Sequence, residues 1–304
     1  MTTALAHLEA NTYAPVVQLV TNTVTSVHTR RAYARALADF LAWWEADGRK
    51  PLDKATVQRH VQALRAEGRG ASSINQRLVA IRKLAREAAD NGLIDQAIAA
   101  AIGRAEGVRK EGARLGNWLT KEQAQALLDA PDVDTVKGVR DRAILAVLLG
   151  TGLRREECAM LEVSHIQQRE GRWVLVDLVG KRQKMRSVPM PAWAKSAVDA
   201  WLEAGEVDAG TVFRALRRGG HVQAHGMTAQ SIFEVVRYYA ATVGVDVRPH
   251  DLRRTYAKLA HKGHAPLEQI QLSLGHSSVQ TTERYLGVTQ DLTSAPCDVL
   301  GLRV

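Results

Sequence analysis

Fourteen consecutive residues, GRAEGVRKEGARLG from 103 to 116, carry glycine and charge with no apolar periodicity. No helical or strand stripe runs through such a stretch. A chain of 304 residues interrupted there must build two separate hydrophobic cores. We therefore read residues 103–117 as a linker between two domains, 26–102 and 118–288. Residues 1–25 carry little regular pattern and read as an N-terminal arm, and 289–304 as a C-terminal tail.

Both cores are expected to be mainly helical. In the first, Thr29, Tyr33, Leu37 and Phe40 fall on one helix face. The segment ASSINQRLVAIRKLAREAADNG, residues 71–92, sets Ile74, Leu78, Ile81, Leu84, Ala85 and Ala88 in an apolar stripe. Ser72 or Ser73 is the expected cap, and Asn91-Gly92 the stop. Arg82 and Arg86 lie one turn apart, away from the centre of that stripe. The second core opens on a capping box from Thr120 to Gln123. A helix through Asp141–Leu149 follows, then a short one after the Thr151-Gly152 turn. β-character comes next, with RWVLVDLV, a polar turn GKRQK and MRSVPMP reading as a hairpin. Helices around Ala192–Glu203, Ser231–Ala241, Leu252–His261 and Pro266–Leu274 complete a mainly α, two-domain chain with a small antiparallel sheet.

Composition narrows the partners. Lys and Arg outnumber Asp and Glu by 41 to 32. Up to residue 115 there are 17 basic and 11 acidic side chains, so the smaller segment holds two thirds of the excess. A polyanion fits that balance, nucleic acid before an acidic membrane surface. The longest apolar run, Ala143–Leu149, is too short to span a bilayer. The N-terminus lacks the basic start and long apolar centre of a signal peptide, so a cytoplasmic protein is expected. Two cysteines, Cys158 and Cys297, exclude a disulfide scaffold and a four-cysteine zinc site. His221 and His225 have suggestive spacing but no completing ligand set. There is no phosphate-loop or dinucleotide fingerprint. No metal and no cofactor is expected.

LGHSSVQTTERYLG, residues 274–287, sets a histidine at a helix mouth and a tyrosine nine residues on. A tyrosine that attacks a phosphodiester without metal needs nearby cations, because its phenol is mostly protonated at neutral pH. Phosphoryl oxygens need fixed donors, for which arginine's planar fork is suited. The departing alkoxide needs a proton from a positioned acid. Taken singly, each candidate has a plain alternative. Arg154–Glu157 fits a helix-surface ion pair, the histidines fit caps or packing, and Tyr285 fits a half-buried packing position. Four motifs in one order outweigh those readings.

Those motifs are GTGLRREECAMLEV, LVGKRQKMRSVPM, PHDLRRTYA and LGHSSVQTTERYLGV. In order and spacing they resemble the tyrosine recombinases, also called the phage integrase family, over roughly Leu119 to Val288. Ser26–Gly92 more loosely resembles the family's helical core-binding domain, so a DNA clamp is implied. The resemblance implies that Tyr285 is the nucleophile, leaving a 3′-phosphotyrosyl link and a free 5′-hydroxyl. It implies that Arg154 and Arg253 grip the non-bridging oxygens and that Lys181 is the general acid, with Lys184 the alternative. His250 would take part in proton transfer at Tyr285, His276 would hydrogen-bond a phosphoryl oxygen, and Glu157 would orient the arginines. ATP is not required, since the phosphotyrosine keeps the energy of the broken bond.

By the same resemblance the protein would act as a homotetramer on two DNA duplexes through a four-way (Holliday) junction, with accessory DNA-bending proteins as possible partners. Arg82 and Arg86 are either DNA contacts from a groove-lying helix or a solvated basic face. The tail, with Val299, Leu300 and Leu302, either packs on a neighbouring protomer or folds back. Two rival readings are a type IB topoisomerase-like enzyme and a non-catalytic DNA-binding regulator on the same scaffold.

Overall fold

The computed structural model describes residues 13–109, 117–180, 185–276 and 278–286. Of the described residues 61% are helical, and the chain divides into two compact units, one ending at Ala113 and the other beginning at Arg114.

Among the described residues the elements of the first unit are all helices: α1 (Tyr13–Asn22), α2 (Val27–Ala46), α3 (Lys54–Ala66), α4 (Ala71–Asp90) and α5 (Gln96–Gly103). Helix α4 is central and packs against the other four. Its stripe, Ile74, Leu78, Ile81, Leu84, Ala85 and Ala88, is buried with Leu37, Phe40 and Trp44 of α2. Three findings depart from the sequence reading. Residues 13–22 are helical, because Val17 and Val20 bury against the core and tertiary packing overrides a weak local pattern. Gly70, not Ser72 or Ser73, is the N-cap of α4, and Ser73 instead accepts from Arg77 Nη1 at 2.8 Å. The start of the expected linker is fastened down. Gln58 and Asn75 each hold both backbone groups of one residue, Glu106 and Val108 respectively, at 2.8–3.3 Å.

His60 of α3 is buried between Phe40 and Trp43, with ring centroids 5.1 and 4.8 Å away. Neither ring nitrogen has a hydrogen-bond partner among the described residues. Burial pushes its pKa down to about 4, with Arg77 adding to the effect and Glu67 and Asp39 opposing it. As pH falls through 6.5 the unfolded chain takes up a proton that the folded one refuses, so stability declines from there to about pH 4. At pH 5 the loss is about 2 kcal/mol. Hydrogen exchange of α2 and α3 should show that weakening between pH 7 and 5, and His60→Leu should remove it.

The second unit opens with α6 (Lys121–Asp129), whose capping box at Thr120 and Gln123 has both halves in place. Helix α7 (Val136–Thr151) is its axis, buried continuously from Ala143 to Thr151. Around it pack α8 (Arg155–Ala159), α9 (Ala192–Ala204), α10 (Ala229–Thr242) and α11 (Pro249–Lys262). Helices α12 (Leu267–Leu274) and α13 (Val279–Leu286) follow. Strands β1 (Ile166–Arg169), β2 (Arg172–Val179) and β3 (Met185–Pro189) form an antiparallel sheet in that order, and β4 (Arg214–Leu216) pairs with β5 (Val222–Gly226).

The register of β2 on β3 passes from Leu175↔Val188 to Leu178↔Arg186, so β2 carries one extra residue. Asp177 in that bulge has φ +55°. The extra residue keeps both Leu175 and Leu178 buried although they are three apart. Arg186, two residues before the buried Val188, shares its inward face. Among the described residues no helix is long and apolar enough to cross a membrane.

Candidate active site

Helix α7 ends where Gly152 turns left-handed at φ +62°, and its N–H bonds back to the Leu148 carbonyl. Leu153 is buried, and Arg154 becomes the N-cap of α8. Glu157, three residues on, accepts the Arg154 backbone N–H at 2.8 Å and Arg154 Nη1 at 2.7 Å. From β3, Arg186 donates Nη1 and Nη2 to the two oxygens of the same carboxylate at 2.9 and 2.8 Å. Arg186 Nε donates to the Ser273 carbonyl at 3.0 Å, tying the sheet to the end of α12. Burial opposes the charge on Glu157, but the hydrogen bonds from Arg186 and from the Arg154 backbone hold its pKa at about 2. The pair Arg154–Glu157 is therefore no solvated helix pair, since the Glu157 side chain is only 7% exposed.

Pro249 presets the first turn of α11. His250 and Arg253 follow at i and i+3, on one face of the helix. Arg253 is 1% exposed. Its Nη1 donates to the Gly152 carbonyl at 2.6 Å and its Nη2 to the Leu274 carbonyl. One guanidinium thus staples the C-terminal ends of α7 and α12 together.

Gly275 follows Leu274 at φ +62°, and a Cβ there would stand 2.9 Å from Arg186 Cδ. It turns the chain so that His276 Nδ1 lies 2.9 Å from Oγ1 of the buried Thr282 on α13. Burial and the charges of Arg253 and Arg154 push His276 down to about 4. His250 is lowered too, by lost hydration and then by Arg253 and Arg254. Both imidazoles are held towards the neutral form, in which one ring nitrogen donates and the other accepts.

A cavity of about 320 Å³ is lined by Arg154, Arg253, His250, Pro249, Arg155 and Phe233, among others. Arg154 keeps about a third of its side chain exposed, and its Nε and Nη2 have no hydrogen-bond partner among the described residues. Such a cavity suits a tetrahedral oxyanion held from two sides by guanidinium groups.

Gly152→Ala tests the frame. A Cβ there would sit 2.7 Å from the Tyr256 ring, on a backbone with positive φ. The expected cost is about 2 kcal/mol, read as a fall of roughly 4–8 °C in the Tm of this unit by calorimetry.

Of the residues singled out in the sequence, Arg154, Glu157, His250, Arg253 and His276 come together here. Tyr285 is described only as a position on α13, one helical turn after Thr282. Lys181 and Lys184 lie outside the described residues, as do Cys297 and the tail from 289. In the first unit, Arg82 is half-buried and its Nη2 donates to the Ala105 carbonyl, so it serves its own domain. Arg86 is exposed on α4. Cys158 is buried, and burial raises its thiol pKa. His221 ends the turn between β4 and β5 and His225 lies in β5, and no group of three or more His, Cys, Asp or Glu among the described residues could hold a metal ion. Sequence reasoning missed Arg186. Its signal was a charge on the inward face of MRSVP, where burial demands a partner.

The profile described as the phage integrase family matches residues 117–291, and that of the phage integrase N-terminal SAM-like domain matches 17–92. Tyrosine recombinase XerD of Bifidobacterium longum is 31% identical over 91% of this chain and 92% of its own length. Tyrosine recombinase XerC of Xanthomonas campestris pv. campestris is 31% identical over 86% of this chain and 78% of its own. The XerD of Vibrio vulnificus is 35% identical, and there the match spans 59% of this chain and 58% of the relative. Among solved structures, the fold is similar to that of XerH bound to palindromic difH substrate, with TM-score 0.69 and 19% identity over 85% of this chain and 76% of that one. A lambda integrase dimer bound to a COC′ core site gives 0.67 and 18% over 91% and 95%. A profile covering more than half of the residues, with full-length relatives above 30% identity, makes the chain a member of the phage integrase family, the tyrosine recombinases.

Proposed function

We propose that this chain is a site-specific DNA recombinase that cuts and rejoins strands through a phosphotyrosine at Tyr285. The observation that carries the reading is the convergence of Arg154, Arg253 and His250 on one cavity, with His276 held by Thr282 within reach of the charges of both arginines and Glu157 and Arg186 fixing Arg154 from behind. The phenol of Tyr285 gives up its proton, aided by His250, and its oxygen attacks the phosphorus. Arg154, Arg253 and His276 hold the non-bridging oxygens as charge develops. The bond from phosphorus to the 5′-oxygen breaks, and Lys181 supplies that oxygen's proton. A 5′-hydroxyl from a second duplex then attacks the 3′-phosphotyrosyl bond, restoring the phenol. Two such rounds, through a Holliday junction, exchange both strands without metal or ATP.

Residues 26–102 form the core-binding domain and 118–288 the catalytic domain, closing on duplex DNA as a clamp joined by 103–117. Arg86 is the more available basic contact on α4, since Arg82 is occupied. A homotetramer on two sites, linked through 289–304 and helped by DNA-bending proteins, would work in the cytoplasm on the nucleoid.

The test uses sites selected by the protein from a randomised duplex library and nicked beside the cleavage point, so that the freed fragment diffuses away. In EDTA, wild type should accumulate a covalent protein–DNA adduct, and peptide mapping should find the nucleotide on Tyr285. An adduct on another residue, or one that forms only with added Mg²⁺, overturns the reading.

A further inference from the structure

We propose that Arg155, Arg248 and Phe233 form a second backbone-binding subsite, which grips the phosphodiester adjoining the scissile one on the same strand. The inference rests on the recombinase reading and extends it beyond the residues assigned above.

The cavity holds more cationic charge than one phosphate requires. Arg154 and Arg253 suffice for the scissile group, yet Arg155 and Arg248 line the same space, against a single lining carboxylate, Glu156. At about 320 Å³ it is of the size that takes a small organic ligand, with room beyond one phosphoryl group. The next charge on a DNA strand lies roughly 3.4 Å further along the duplex axis. A strand presented to Arg154 and Arg253 must therefore carry a neighbouring phosphate past the edge of this cavity.

The side chains suit that neighbour. Arg155 Nε pairs with Glu156 Oε1 at 2.8 Å, and both are well exposed, at 39% and 45%. A pair so open to water is worth about 0–1 kcal/mol and yields readily to a phosphate. The two terminal nitrogens of Arg155 have no partner among the described residues. Its guanidinium carbon lies 5.9 Å from the Phe233 ring centroid, within cation–π range. The half-buried ring therefore backs the fork and limits its wandering.

Arg248 approaches from α11. Its backbone N–H is taken by Asp251 Oδ2 at 3.0 Å, which fixes its Cα at the helix mouth. No carboxylate among the described residues pairs with its exposed guanidinium. Both arginines stand on the backbone that bears the catalytic ones, Arg155 next to Arg154 and Arg248 two residues before His250. Engaging the neighbouring phosphate would thus register the scissile bond against Tyr285 rather than merely attract DNA.

The experiment is a cycle of protein and DNA changes on the nicked substrate. A neutral methylphosphonate replaces, in turn, each phosphate flanking the scissile one, and wild type is compared with Arg155→Gln and Arg248→Gln. Wild type should lose about tenfold in adduct formation at one of the two positions. Each variant should lose a similar factor on unmodified DNA and little more on the modified strand. The slope of log affinity against log salt should fall by about 1 for each variant, and Arg155→Lys should recover part of the loss. Losses that multiply independently, or a wild type indifferent to both methylphosphonates, overturn the subsite while leaving the Tyr285 adduct intact. A wild type that forms no adduct on unmodified DNA instead overturns the recombinase reading.

Discussion

Tyr285→Phe protein should bind its DNA site as tightly as wild type and form no covalent adduct, a fall of at least about 10⁴-fold in strand cleavage. The substitution removes one oxygen and keeps the ring, so the helix that carries it has no reason to unfold. The arginines would still bind the phosphate, but in the proposed mechanism no other side chain attacks it. Water is a poor substitute, because nothing in the proposed mechanism orients it opposite the leaving 5′-oxygen. Gel analysis under denaturing conditions reads the adduct, and a mobility shift reads the binding. A persistent adduct, or a parallel collapse of affinity, would show that Tyr285 is packing rather than attacking. Its backbone position favours attack, since α13 also carries Thr282, the residue that holds His276.

How far the site could be read before folding depends on what each residue answers to. In the proposed mechanism Arg154, His250, Arg253 and His276 answer to chemistry, so the local wording around them marked them in the sequence. Arg186 answers to Glu157, 29 residues earlier in the chain, and only the bulge in β2 and the inward face of β3 bring the two together. The same division runs through the fold. The stripe of α4 and the box at Thr120 are local signals, and both stand in the structure. Strands β1, β4 and β5 were not legible, for IQQR, RAL and VQAHG have almost no alternation. Their pairing is decided by partners rather than by propensity. Helix α1 was missed for a related reason, since its burial comes from a core built by later residues.

Arg186→Gln is expected to slow cleavage by about 100-fold while changing DNA affinity little. Arg186 touches no part of the proposed substrate path and acts through Glu157, as a positioning residue. With it gone, a nearly buried carboxylate retains Arg154 alone, and the two would close on each other. That movement takes the Arg154 fork away from the cavity. Removing one partner of a buried ion pair also costs roughly 3–5 kcal/mol in stability, so a fall in Tm alone would be ambiguous. The pH profile separates the explanations. In wild type, Glu157 is held at about 2 and stays ionised from pH 7 to 5. Without Arg186 the burial that opposes ionisation is less compensated, so its pKa rises. Falling pH would then protonate the carboxyl, and Arg154, displaced already, would lose its last charged anchor and its fixed orientation, adding an acid-side loss of rate that wild type lacks. Arg186→Lys should restore part of the rate and shift that loss back towards lower pH. Glu157→Gln combined with Arg186→Gln should be no worse than the poorer single variant, since both disable one device. A variant that melts early yet keeps the wild-type rate and pH profile would mean that Arg186 only ties β3 to the Ser273 carbonyl. In that case the orientation of Arg154 would rest on the capping contact with Glu157 alone.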